Sequence, residues 1–237
     1  MSRLPIVDER AKPLPTVAAL ERLWDEVAAR PLWAGGRFFL YLRLRARMRL
    51  AMVRPEQLTS IVPEGKVNDC SACTELCCIG HEQTVSLRFR DIATLVDIGR
   101  EDLMTTTKPV FSATTLAEKP ALARTVASEA WRRFPVLVQN SFGACKALSD
   151  EGKCTLYPHW PTSCARFPYA LDIESDEITY SPRCRSFWIR PDAGAKVTAM
   201  KVAAVAAYNE RIKDLVLLAY APERLDDLGL TRYLAQP

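Results

Sequence analysis

Four of the chain's eight cysteines lie within nine residues, in the stretch CSACTELCC, and two of those four are adjacent. The other four lie between residues 145 and 184. In a reducing compartment, so dense a set of thiols is more typical of metal binding or redox chemistry than of a disulfide framework. Segments far apart in the sequence must therefore converge wherever these thiols bind one metal. The eight residues are Cys70, Cys73, Cys77, Cys78, Cys145, Cys154, Cys164 and Cys184.

The start of the chain bears on the cellular compartment in which the protein is expected. The opening MSRLPIVDERAK mixes charges with proline, whereas a secretory peptide has an uninterrupted apolar core. No later segment approaches the roughly 20 apolar residues that a membrane-spanning helix needs. We therefore expect a cytoplasmic protein without a transmembrane segment, in which no cysteine forms a structural disulfide.

Length and composition allow a hydrophobic core without covalent cross-links. The chain has 237 residues, of which 49% are hydrophobic, and its net charge is only +4. So small a basic excess gives no reason to expect nucleic acid as a partner. We expect three parts: an N-terminal helical extension over residues 1–60, a cysteine-cluster metal-binding domain over 70–190, and a C-terminal helix over 195–237 packed on that domain.

The hydrophobic pattern predicts a mainly helical α+β fold with short hairpins around a cysteine-ligated metal centre. Residues 16–30 have helical periodicity, and a long helix is predicted from Ala195. Residues 84–89 alternate as a short strand, after which Asp91 is placed as the N-cap of a helix that ends at Gly99.

Three further segments complete this prediction. Two hairpins are expected, at residues 143–157 and 169–180. A basic segment at residues 37–54 alternates arginine with apolar residues and is compatible with either a strand or a helix. Its arginines form a solvated face or a contact to phosphate, and the sequence does not decide between the two.

The spacing of the first four cysteines suits chelation. Two residues between Cys70 and Cys73 allow both sulfurs to face one ion, as in many zinc and iron sites. The adjacent side chains of Cys77 and Cys78 diverge, so they more naturally bind two metals or two parts of one cluster. With the later cysteines there are enough thiols for two four-thiolate sites. His81 and His159 are weaker candidate ligands, because a lone histidine is more often a hydrogen-bonded structural residue.

Four thiolates around one metal carry negative charge, and burial of that charge requires nearby cations or hydrogen-bond donors. Five cations lie close to the later cysteines and are expected to balance it. They are Lys146, Lys153, Arg166, Arg183 and Arg185.

The order C-x2-C-x3-C-C, then a cysteine, a second cysteine followed by x-x-Y, then P-x-x-C and F-P, resembles the YkgJ-like cysteine-cluster family. That family is described as a zinc- or iron-chelating domain and includes flagellin lysine-N-methylase-like proteins. The resemblance covers about residues 70–190. It implies metal binding but fixes neither the metal nor a reaction. Besides the first six of those cysteines and Cys164, the matching residues are Tyr157, His159, Pro161, Phe167 and Pro168.

Two functions agree with these observations. The first is an iron–sulfur protein with a redox or methylase-like role. The alternative is a zinc-binding structural or scaffold module without catalysis. No radical S-adenosylmethionine motif, dinucleotide fingerprint or general base is evident, so no catalytic residue is predicted and enzyme activity stays open. The partner, a protein or a small-molecule substrate, is not identified by the sequence.

Overall fold

A computed structural model describes most of the chain. The described residues are 15–29, 39, 42–43, 46, 52, 59–60, 66–68, 79–80, 84–172, 177–181, 184, 187–189 and 194–235. The basic segment at residues 37–54 lies largely outside this set. Four of its described positions, Phe39, Leu42, Arg43 and Ala46, are helical.

Helix α1, Val17–Ala29, forms where the hydrophobic periodicity predicts it. Thr16 caps its N-terminus, because the Thr16 Oγ1 accepts a first-turn backbone N–H at 3.1 Å. Leu20, Leu23 and Val27 are buried and form one face of the helix. This face is the part of α1 that packs on the rest of the protein.

Helix α2, Phe89–Asp97, begins three residues before the predicted start. The prediction that Asp91 is the N-cap is wrong: Arg88 is the N-cap, and Asp91 occupies the third helical position. From there the Asp91 Oδ2 accepts the Arg88 backbone N–H at 2.9 Å, so the carboxylate still satisfies a donor at the helix start. The helix ends as predicted at Gly99, whose φ of 68° suits the residue after a C-cap.

The polypeptide between α2 and the later cysteines contains one small antiparallel strand pair. Strand β3, Met104–Thr105, pairs with β4, Val136–Leu137. The strand predicted at residues 84–89 is reduced to a bridge between Ser86 and Val136, because its last residue joins α2.

Between these strands the chain forms three short helices, α3 Ala113–Glu118, α4 Pro120–Ala127 and α5 Glu129–Arg133. Pro120 occupies the first turn of α4, where its missing N–H costs nothing. The hydroxyls of Ser112 and Ser128 cap α3 and α5, each accepting a backbone N–H at 3.1 Å.

The remaining strands include the predicted hairpin. Strands β5, Tyr169–Asp172, and β6, Glu177–Tyr180, pair antiparallel. Strand β1, Thr59–Ser60, lies parallel to β6. Strand β2, Lys66–Asn68, pairs antiparallel with β7, Phe187–Ile189.

The C-terminal part of the chain is helical. Helix α7, Gly194–Tyr220, begins one residue before the predicted start and is followed by α8, Pro222–Asp227. Of the helices in the described ranges, none is long and apolar enough to cross a membrane.

The larger of the two hydrophobic clusters found in the described ranges joins α1, α2, α7 and α8. The smaller one packs the β5–β6 hairpin against α7. These elements confirm the mainly helical α+β fold, whereas the three-part division of the chain stays a prediction. The main contributors to the larger cluster are Leu20, Leu23, Val27, Phe89, Ile92, Leu95, Val216, Leu217 and Leu225.

Candidate metal centre

The first cysteine group, Cys70, Cys73, Cys77 and Cys78, lies outside the described residues, as does His81. Their role as ligands stays a prediction. The four later cysteines are described, and all four are half-buried thiols. Within the described part of the chain, no three Cys, His, Asp or Glu side chains converge as a metal site. The described thiols are four of the eight predicted ligands.

Cys145 and Cys154 lie on adjacent chain segments. The predicted turn forms at residues 149–152, and Cys154 lies opposite Leu148 across it. Cys145 lies opposite Gln139 of the preceding segment. A hydrogen bond from Leu148 N to Cys145 O, 2.9 Å long, closes a turn between the two cysteine positions.

Electrostatic coupling links these two thiols. Burial raises the pKa of the Cys145 thiol, the backbone N–H of Ala147 offsets part of that rise, and the charge of a Cys154 thiolate raises it further. Both cysteines pack against the edge of the larger core cluster. A cation bound between them would remove the repulsion and hold both sulfurs as thiolates. The role of this pair as metal ligands stays a prediction.

Cys164 lies on a five-residue helix, α6, Thr162–Arg166. Pro161 immediately precedes this helix, and Pro168 is the second residue after its end. The Cys164 N–H donates to Pro161 O at 2.8 Å. At the other end of α6, the half-buried Arg166 guanidinium donates through Nη1 to Tyr169 O at 2.8 Å.

Cys184 lies close to the end of this helix. Its N–H donates to Ser181 O at 3.1 Å, and the Ser181 N–H donates to Pro168 O at 2.8 Å. Burial raises the pKa of the Tyr169 hydroxyl, and a charged Cys184 raises it further. The segments of Cys164 and Cys184 are thus connected through Tyr169 and its neighbours.

The described residues on both sides of the first cysteine group pair with segments next to later cysteines. After the group, Ile79 forms an antiparallel bridge with Ala144, the residue before Cys145. Before the group, Asn68 pairs with Phe187, three residues after Cys184. The backbone pairing therefore connects each end of the first group to a different member of the later group.

The comparison with protein families agrees with this arrangement. A family model named CxxCxxCC and described as "Putative zinc- or iron-chelating domain" matches residues 69–210, more than half of the chain. The chain belongs to the CxxCxxCC family. All eight cysteines fall within the match, although three residues separate Cys73 from Cys77 where the family's name has two. No curated protein and no solved structure matches the chain closely enough to show a relationship.

Two of the expected cations lie at the surface of this CxxCxxCC domain and pair with carboxylates. Lys146 Nζ lies 3.3 Å from Asp102 Oδ2, and Lys153 Nζ lies 3.6 Å from Glu151 Oε2. Arg166 is instead half-buried beside Cys164. Desolvation and the charge of Arg88 lower the pKa of its guanidinium, and a Cys164 thiolate opposes that change. His159 is exposed. Arg183 and Arg185 lie outside the described residues.

The domain also contains a buried carboxylate, Asp91, whose partner was not expected from the sequence. The Asp91 side chain is only 3% exposed. Its Oδ1 accepts the Thr162 N–H at 2.8 Å, and its Oδ2 lies 3.1 Å from the Thr162 hydroxyl. Burial raises the pKa of Asp91 to about 6, although these donors and Arg88 act in the opposite direction.

A second buried carboxylate lies on α7. Asp214 is 2% exposed, and its Oδ1 accepts the Phe89 N–H at 3.4 Å. Its Oδ2 lies 3.9 Å from Arg88 Nη1, and neither atom has a hydrogen-bond partner among the described residues. Burial raises the pKa of Asp214, with partial compensation by Arg88. Aspartate at the start of a helix is a sequence signal that could have pointed to Asp91, but nothing in the sequence distinguishes Asp214.

Proposed function

We propose that this protein is an iron–sulfur protein of the zinc- or iron-chelating CxxCxxCC family, with the eight cysteines as metal ligands. Metal chelation follows from the family. The identity of the metal, the ligand set and the role are our proposal. The proposed ligands are Cys70, Cys73, Cys77, Cys78, Cys145, Cys154, Cys164 and Cys184.

The observation that supports this ligand set best is the backbone pairing on both sides of the first cysteine group. Cys78 directly precedes Ile79, which pairs with Ala144, and Cys145 directly follows Ala144. Since consecutive Cα atoms are about 3.8 Å apart, such a pairing leaves little distance for the two sulfurs to cover. The pairing of Asn68 with Phe187 acts in the same way at the other end of the group, since Cys70 is two residues after Asn68 and Cys184 is three residues before Phe187.

Iron in a sulfide-containing cluster is favoured by the adjacent pair Cys77 and Cys78. Side chains of adjacent residues diverge, and a cluster with several irons accepts diverging thiolates more readily than one tetrahedral ion does. When bound, such a cluster would supply one-electron chemistry. The chain's own residues would fix its ligands, limit its exposure to water and balance its charge through the half-buried Arg166.

A redox or methylase-like role is the reaction class that the resemblance to flagellin lysine-N-methylase-like proteins suggests. The second candidate is a structural zinc module, since thiolates at this spacing also form four-coordinate zinc sites. We further propose that residues 70–190 form the metal-binding unit, that the protein is cytoplasmic, and that its partner is a protein or a small molecule rather than nucleic acid.

The deciding experiment is purification without oxygen, followed by measurement of iron, zinc and acid-labile sulfide. The proposal expects a brown protein with iron and sulfide in comparable amounts. A colourless protein with about two zinc ions per chain would refute the iron assignment and favour the zinc module. Replacement of Cys145 by serine should lower the metal content. His159→Ala is the matched control, because this residue lies in the same region and is exposed.

A further inference from the structure

Helix α6, which contains the proposed ligand Cys164, is too short to be stable alone. It has five residues, whereas isolated helices shorter than about 12 residues are marginal in water. Its N-cap is Pro161, whose side chain makes no capping hydrogen bond. The first N–H groups of the helix therefore need an acceptor from another part of the chain.

Asp91 provides that acceptor from 71 residues away in the sequence. Its Oδ1 lies 2.8 Å from Thr162 N, and its Oδ2 lies 3.1 Å from the Thr162 hydroxyl. The Oδ2 also accepts the Arg88 N–H at the start of α2. One buried carboxylate thus connects the N-termini of two helices, and the positive ends of both helix dipoles face its charge.

We propose that Asp91 is a positioning residue for the metal ligand Cys164, acting through Thr162 to hold α6 against α2. The inference rests on the proposed function, in which Cys164 binds metal. Helix α2 is part of the core: Phe89 and Ile92 are fully buried. A contact between α2 and α6 therefore places the backbone of Cys164 relative to a part of the protein that metal does not need to organise.

Two substitutions weaken this contact to different extents. Asp91→Asn leaves one acceptor oxygen where two are used, and its amide N–H₂ faces donors in either orientation. Thr162→Val keeps the volume of the side chain and removes only the hydroxyl contact. Residues that orient a metal ligand typically change metal affinity 10- to 100-fold when replaced. We expect about a tenfold faster loss of metal from Asp91→Asn and a smaller increase from Thr162→Val.

The test measures the rate at which the purified, metal-containing protein transfers its metal to a coloured chelator without oxygen. Ser128→Ala is the matched control. The Ser128 hydroxyl accepts the Trp131 N–H at 3.1 Å and so caps α5, which is also a five-residue helix but contains no cysteine. Each variant is also made in a Cys164→Ser background, because an effect that passes through Cys164 must disappear when that thiol is absent.

The inference is supported if Asp91→Asn and Thr162→Val release metal faster than Ser128→Ala, and if neither adds to the effect of Cys164→Ser. It is overturned if Asp91→Asn behaves like Ser128→Ala, or if its effect is unchanged without Cys164. If Asp91→Asn does not fold, Thr162→Val decides the question. If Cys164→Ser alone keeps metal at the wild-type rate, Cys164 is not a ligand, and the ligand assignment of the proposed function fails instead.

Discussion

The buried carboxyl group of Asp91 should make the stability of the folded protein depend on pH. Its pKa is raised from 3.8 to about 6, chiefly by burial. Between these two values the folded chain keeps a proton that the unfolded chain has lost, so the free energy of unfolding must fall as pH rises. Since one pKa unit corresponds to about 1.4 kcal/mol, the whole fall attributable to this group is about 3 kcal/mol, of which about 2 kcal/mol lies between pH 4 and pH 6.

Asp91→Asn isolates this contribution, because asparagine has the size of the protonated aspartate and does not titrate. The difference in unfolding free energy between wild type and Asp91→Asn, obtained from urea denaturation, should decrease by about 2 kcal/mol between pH 4 and pH 7. Carbon-13 NMR of the side-chain carboxyl group gives the midpoint in the folded protein directly. Asp214→Asn should remove a slope of the same sign, since burial also raises the pKa of Asp214.

Asp102→Asn is the control for this experiment. Asp102 is exposed, and the hydrogen bond from Arg100 lowers its pKa, so its contribution to stability is present above its ordinary pKa and is lost only at more acidic pH. A constant difference between wild type and Asp91→Asn across this pH range would refute the reasoning. So would an NMR midpoint near the ordinary value of 3.8.

Two further predictions concern metal and nucleic acid. Cys73→Ser should lower solubility, protease resistance and metal content together, whereas His81→Ala should change all three much less; limited proteolysis with metal analysis compares them, and equal losses would contradict the ligand assignment. The protein should bind nucleic acid weakly, because its net charge is only +4. Genuine binding would release counterions and would therefore be steeply salt-dependent. A fluorescence anisotropy titration that found tight, salt-sensitive binding would overturn this if the binding disappeared with the arginines of the basic segment replaced by glutamine. Those residues are Arg43, Arg45, Arg47 and Arg49.

The features predictable from the sequence are those that depend on neighbouring residues. The apolar spacing of α1 identifies its buried face, and Gly99 ends α2 because a left-handed backbone is required there. The hairpin at residues 169–180 follows from alternation on both sides of a polar turn. The family, too, could be identified from sequence, because its motif is a spacing of cysteines.

Contacts between segments that are distant in the sequence could not be predicted from neighbouring residues. Asp91 has the same local sequence whether it is an N-cap or a third helical residue, and only tertiary packing brings Thr162 to its free acceptor positions. Likewise, strands β2 and β7, in which Asn68 pairs with Phe187, have three residues each and are too short to have a recognisable alternation. The sequence therefore predicts which residues are candidate ligands better than it predicts what positions them.

The distribution of the core indicates which parts of the protein depend on metal. Helices α1, α2 and α7 contribute many of the buried residues of the larger cluster, to which the segment of Cys145 and Cys154 adds Ala147 and Leu156. The segments that contain the later cysteines have only isolated bridges, a five-residue helix and strands of three or four residues. Cys145 is separated from Cys78 by 66 residues. Closure of so long a loop costs chain entropy, which metal binding would offset.

Metal removal should therefore affect the protein unevenly. After anaerobic chelation, backbone amides such as Lys146 and Thr155, which donate to Val138 O and Ala147 O, should exchange with solvent at least tenfold faster. Amides within α2, such as that of Ile92, should keep most of their protection because core packing holds this helix. Hydrogen exchange read by mass spectrometry compares the two regions in one sample. Uniform loss of protection would mean that the metal organises the whole fold, and unchanged protection near Cys145 would mean that the metal does not hold this region.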